Sequence, residues 1–177
     1  FLSKYFNKNM KIIINEFPSP SLKRRLNKLG FENIIQIPRN ERLIFKDFEV
    51  ISVFDESVSN DDAGISFRDD DYCIHHGNDN WFKLKQDNCD KLIDFSKNRK
   101  FLYCSQTNSA SSHPITYSQY ANKMQEELKR KVKKMVVSAL QNVENLNADY
   151  FLPYAGFSKS YVKNKNYHLS AFSPTYK

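Results

Sequence analysis

The chain has 177 residues and a formal charge of +7, from 27 basic against 20 acidic side chains, with 40% hydrophobic and 14% aromatic residues. That length suits one ordinary domain, residues 1–177, and the apolar share can fill a core, so global disorder is excluded. No apolar run approaches the roughly 18 residues of a membrane-spanning helix, so a membrane partner is not expected.

In chain order, KIIIN (Lys11 to Asn15) is a run of β-branched residues that reads as a buried strand. Pro18 and Pro20 break it, Ser21 is placed to cap a helix through Leu22, Leu26 and Leu29, and Gly30 stops that helix. ENIIQI is a second strand, ended by Pro38. RLIFKDFEVISVF reads as a hairpin turning near Lys46 and Asp47. After the acidic stretch DESVSNDDAG, the strands AGISF and YCIHH are joined by a turn, Arg68 to Asp71. A helix is predicted within Lys83 to Asn98, then a strand FLYCS, a long helix over Tyr117 to Asn145, and a last strand DYFLPY. Strands mixed with helices predict an α/β layered domain.

The basic residues cluster at Lys23-Arg24-Arg25, at Lys129 to Lys134, and at Lys159, Lys163 and Lys165. The middle cluster lies on an amphipathic helix whose apolar stripe is Leu128, Val132, Met135, Val136 and Leu140. Charge runs of this kind are ordinarily solvated helix faces, so a nucleic-acid partner is not expected. Cys73, Cys89 and Cys104 are widely spaced and form no CxxC, which points to a reduced, cytoplasmic protein rather than a disulfide framework.

Three clusters carry chemistry. In YCIHHGNDNW, an apolar strand ends in two His, a Gly, and an Asp between asparagines. Sites in α/β folds sit at strand C-terminal ends, where a carboxylate such as Asp79 can bridge two cations and imidazoles suit zinc or iron; the same residues also make an ordinary turn. The loop FDESVSNDD adds Asp55, Glu56, Asp61 and Asp62, also after a strand. The loop SQTNSASSHPITY places His113 before a helix, with hydroxyls from Thr107, Ser109 and Ser111. No GxSxG, P-loop, GxGxxG, HxH or HExxH motif is present.

The order of these pieces resembles the later part of a metallo-β-lactamase-fold domain. Within that superfamily it looks most like the branch of CMP-N-acetylneuraminate monooxygenase and related sugar-nucleotide hydroxylases. The residues that carry the likeness are Asn78-Asp79 at the strand end, SASSHP from Ser109 to Pro114, and ADYFLPYA from Ala148 to Ala155. The resemblance implies a partial αββα metallo-β-lactamase-like sandwich, a mixed sheet with flanking helices. Its HxHxDH motif would lie before Phe1, so the chain is expected to be the C-terminal part of a larger domain. Asp79 matches the carboxylate that bridges two divalent metal ions. A carboxylate, Asp55 or preferably Glu56, stands where the preceding loop of the family offers a His. A late His ligand is expected near Pro153 and Tyr154, where this chain has none. The departure favours iron over zinc.

The resemblance thus implies an oxygenase or hydroxylase acting on a polar small molecule of sugar-nucleotide type. His113 would be catalytic, Asn78, Ser109 and Ser111 would bind substrate, and a Rieske-type electron donor would be the partner. The alternatives are a zinc hydrolase of the same fold, acting on a phosphodiester, lipid or nucleic acid, and a non-catalytic binding module with a decayed metal site.

Overall fold

The computed structural model describes residues 2–39, 41–54, 62–78, 83–107 and 118–154. After a short helical turn α1 (Leu2–Tyr5), strand β1 (Ile12–Asn15), helix α2 (Ser21–Lys28) and strand β2 (Ile34–Ile37) form a small unit in which β1 and β2 pair in parallel. The expected helix stop is built as a Schellman closure. Gly30 takes φ 87°, its amide meets the Asn27 carbonyl, and the Phe31 amide meets the Leu26 carbonyl. The start differs from expectation: Ser21 makes no side-chain cap, and Ser19 Oγ accepts the Ser21 amide at 3.4 Å instead.

The remaining strands form one six-stranded sheet in chain order: β3 (Arg42–Ile44), β4 (Glu49–Phe54), β5 (Ala63–Arg68), β6 (Tyr72–His76), β7 (Lys100–Gln106) and β8 (Tyr150–Tyr154). The first three pairings are antiparallel, through short turns at 45–48 and 69–71 and the connection between Phe54 and Ala63. The last two are parallel, because helices α3 (Gln86–Ser96) and α4 (Met124–Leu146) carry the chain back between them. A 3₁₀ segment, Ser118–Lys123, leads into α4.

Both crossover helices cover the same face. Cys89, Leu92 and Phe95 of α3 and Leu146 of α4 pack on Ile51, Val53, Cys73, Phe101 and Tyr103 of the sheet. The buried side of α4 is Leu128, Met135, Ser138, Ala139, Asn142 and Leu146; of the stripe predicted, Leu128 and Met135 are buried and Val132 and Val136 half-buried, but Leu140 is 51% exposed. Two polar residues are therefore taken into the core while a leucine is left out. Three residues apart on α4, Arg130 and Glu127 pair at 2.6 Å. Asn147, with φ 48°, ends the helix, and the Asn147 and Ala148 amides close onto the Glu144 and Val143 carbonyls.

The other face is covered only in part. The β1–α2–β2 unit meets it at β4, where Ser52 Oγ donates to Asn15 Oδ1 at 2.6 Å and Phe17 packs edge-on against Phe54. Farther along, Phe67, Ile74 and Leu152 stand 37%, 43% and 51% exposed. The three cysteines are buried and unbonded to one another. No helix among the described residues is long and apolar enough to cross a membrane.

Candidate functional site

The registers fix which residues share an edge of the large sheet. Phe54 pairs with Ala63, Ile65 with His76, His76 with Cys104, and Gln106 with Tyr154. The chain therefore leaves the sheet after Phe54, after Asn78, after Thr107 and after Tyr154 at one and the same edge. Glu56 follows the first exit, Asp79 the second, and Ser109, Ser111 and His113 the third. Those five candidates lie outside the described residues, as does Asp55; Asn78 is described.

Asn78 is the hub of that edge. With φ 54° it turns the chain out of β6, a conformation that Asn tolerates better than most residues. Its Nδ2 donates to Asp62 Oδ1 at 2.7 Å, and its backbone N–H donates to His76 Nδ1 at 3.3 Å. Its carbonyl accepts the Tyr154 hydroxyl. The His76 and Tyr154 rings stack with centroids 4.5 Å apart and 17° between planes. Asp62 Oδ1 also accepts the Ala63 amide at 2.9 Å. Thr107 is turned inward: its amide donates to the Tyr154 carbonyl at 3.1 Å, tying β7 to β8.

The two adjacent histidines do not act as a pair. Alternation along a strand sends them to opposite faces. His76 is exposed on the open face, whereas His75 is 2% exposed under the helices, with Nδ1 2.8 Å from Ser66 Oγ and its ring parallel to Tyr103 at 5.6 Å. Burial, and secondarily the neighbouring His76, pushes the His75 pKa from 6.5 down to about 3. A Cβ on Gly64 would lie 2.6 Å from His75 Cε1, so a glycine is what lets this ring fit.

A crevice of about 320 Å³ opens at the same edge, between β1 and the open face of β5 and β6. Ile13, Phe17, Leu22 and Ile65 form its apolar walls, and Asn15, His76 and Asn78 its polar lining. Sequence reasoning missed the contribution of β1, because nothing local in KIIIN tells which sheet face it will cover. It also missed Tyr154, which stands where the resemblance expects a late His ligand. Among the described residues no group of three or more His, Cys, Asp or Glu is gathered to hold a metal.

No protein-family model matches the sequence, and no curated protein matches it significantly. The structure is similar to that of CmlA, a diiron β-hydroxylase from Streptomyces venezuelae, with a TM-score of 0.57 and 16% identity over 82% of this chain and 30% of that one. A single-substitution variant of the same β-hydroxylase gives a TM-score of 0.57 at 14% identity, covering 82% of this chain and 31% of that one. The metallo-β-lactamase fold protein YhfI from Bacillus subtilis matches over 91% of this chain and 58% of that one at 13% identity, with a TM-score of 0.46, too low to support an argument. At these identities the likeness is one of fold. The fold is α/β, a mixed sheet with flanking helices, as expected from the sequence. The chain spans less than a third of the hydroxylase that it resembles.

Proposed function

We propose that this chain is part of a metal-dependent oxygenase or hydroxylase of metallo-β-lactamase-like fold, acting on a polar substrate of sugar-nucleotide type. The observation that carries the reading is the common edge. The exits after β4, β6 and β7 lie at the same end of the sheet, those of β6 and β7 adjacent, and the segments that follow them hold Glu56, Asp79 and His113. Crevices outside strand C-terminal ends are where α/β sheets bind ligands. The fold likeness to a diiron β-hydroxylase supports the same direction.

In this reading Asp79 and Glu56 hold two metal ions, iron in preference to zinc because carboxylates outnumber imidazoles in the set. When bound, the metal supplies the activation of dioxygen. Asn78, Ser109 and Ser111 bind the substrate, and His113 holds or moves a proton beside it. A Rieske-type protein is the proposed electron donor. The described donors do not complete a metal set: Asp62 and His76 Nδ1 are both engaged by Asn78.

Metal analysis after reconstitution with ferrous iron or zinc tests the reading. About two equivalents of iron are expected in the unaltered protein, with a clear loss in Asp79→Ala and a smaller loss in Glu56→Ala. Unchanged occupancy in Asp79→Ala would sink the assignment. Tyr154, standing where a late His is expected, favours the non-catalytic module as the second reading. That reading predicts no rise in melting temperature on adding either metal, since a ligand bound by the native state raises stability.

A further inference from the structure

We propose that the crevice between β1 and the open face of β5 and β6 is a pocket for a planar aromatic or heteroaromatic ring bearing a carbonyl or carboxylate. His76 recognises that acceptor as an Nε2–H donor and is not a metal ligand. This rests on reading the edge as a substrate site and names the part of the substrate that enters the crevice.

The argument begins with the tautomer. An imidazole nitrogen that accepts a hydrogen bond holds no proton, and His76 Nδ1 accepts the Asn78 backbone N–H at 3.3 Å. The neutral ring therefore carries its proton on Nε2. In this arrangement neither nitrogen has a lone pair to give a metal: one is spent on Asn78, and the other is protonated. Stacking on Tyr154 at 4.5 Å fixes the plane of the ring.

The second polar group lining the crevice has the same character. Asn15 Oδ1 accepts the Ser52 hydroxyl at 2.6 Å, which orients the amide and leaves its N–H groups as donors beside one remaining lone pair. Asn78 uses one N–H of its Nδ2 on Asp62. Beside the Nε2–H of His76, the Asn15 amide is a second donor, and the ligand group that meets both is an acceptor: a carbonyl or carboxylate. The remaining walls, Ile13, Phe17, Leu22 and Ile65, offer no partners for hydroxyls. A sugar ring placed there would lose its hydrogen bonds to water without replacement, which is costly. An aromatic ring loses nothing and gains apolar contact. A volume of about 320 Å³ is at the small end of ligand pockets and suits one ring with its substituent. An aryl acid and the base of a nucleotide both have this chemistry.

The test uses the 177-residue chain with a chelator present, so that no metal takes part. Long-range ¹H–¹⁵N spectra of the His76 ring are expected to show the Nε2–H tautomer; an Nδ1–H tautomer overturns the proposal. Titration with 3-phenylpropionate and, separately, with cytidine is expected to shift the His76 ring and the Ile13 and Ile65 methyls for at least one of them. The responding probe tells an aryl acid from a nucleobase. Silence from both, or an equal response to methyl glucoside, overturns it. His76→Phe, which keeps a ring to stack on Tyr154, should weaken the probe roughly tenfold, while His76→Gln, which keeps a donor near the Nε2 position, should stay within about threefold. Undiminished binding by His76→Phe overturns the recognition role. Because no metal is in the tube, failure here leaves the metal reading standing, and a failed Asp79→Ala metal test leaves this one standing.

Discussion

The two faces of the six-stranded sheet are built from the same kinds of residue and meet different fates. Under α3 and α4, Phe101 and Tyr103 are 2% and 1% exposed. On the reverse side, their strand neighbours Ile74 and Leu152 are 43% and 51% exposed. Adjacent residues separate in the same way, His75 buried and His76 exposed. On the covered face, most of the large polar side chains are held by a partner, as in Ser66–His75 and Tyr103–Asn142–Leu84. The comparison teaches that polarity on this sheet is placed by covering, not by composition, and four measurements would break or sharpen it.

The largest effect is expected at Asn142, wholly buried on α4. Its Nδ2 donates to the Tyr103 hydroxyl and its Oδ1 accepts the Leu84 amide, both at 2.9 Å. The second bond pins the chain just before α3, at the far end of the segment that carries Asp79. Asn142→Leu breaks both bonds at once, leaving the Tyr103 hydroxyl and the Leu84 amide without this partner, and should cost about 3 kcal/mol in denaturant unfolding. A loss below about 1 kcal/mol would show that the covered face tolerates unheld polar groups.

Gly64→Ala comes next. The added Cβ would meet His75 Cε1 at 2.6 Å and the His76 carbonyl oxygen at 3.0 Å, and the ring cannot swing away because Ser66 and Tyr103 hold it. A cost of about 2 kcal/mol is expected from overpacking. Full stability in the alanine variant would mean that the ring is not clamped.

These two positions also show what a sequence can and cannot tell. The strands, the hairpin at Lys46 and Asp47, and the stops at Gly30 and after Asn145 were legible, because periodicity, turn chemistry and capping are local. The two faces were not. That Leu140 would be exposed and Asn142 buried depends on which side of α4 meets α3 and Tyr103, a tertiary choice that overrides hydropathy. Alternation alone was enough to separate His75 from His76, yet not to say which would be covered. For the site, the strand-end logic found Asn78, while β1, Asp62 and Tyr154 reach it from elsewhere in the chain.

Acid should act through the covered face third in size. His75 is kept neutral when folded, with its pKa near 3 against 6.5 in water, so on acidification the unfolded chain takes up the proton first. Stability is then whole above about pH 6.5 and declines as pH falls from there toward 3. At pH 5.5 the loss is about 1.4 kcal/mol relative to pH 7.5. Glu49 does not share this window, since its hydrogen bond from Arg68 lowers its pKa below 4.5. Urea unfolding of the wild type and of His75→Gln at pH 7.5 and 5.5 separates the two: the variant should lose none of this increment. An equal loss in the variant would place the pH dependence on another group.

The smallest effect is expected where the sheet is bare, and it is the sharpest check on the comparison. Leu152 is 51% exposed on the open face of β8, the last strand of the sheet among the described residues, so Leu152→Lys removes little buried apolar area, and the lysine stem can lie along Leu102. A change within about 0.5 kcal/mol is expected, against about 2–5 kcal/mol for Leu92→Ala beneath the helices. Contiguous apolar surface of this kind is otherwise uncommon on a free monomer. If Leu152→Lys instead costs as much as a core truncation, the open face is covered in solution. The cost should then grow with protein concentration if a second copy covers it, and be independent of concentration if the same chain does. Either result would leave the assignment of the helix-covered face intact. It would also move the crevice beside His76 from an open rim to the interior of a layered site.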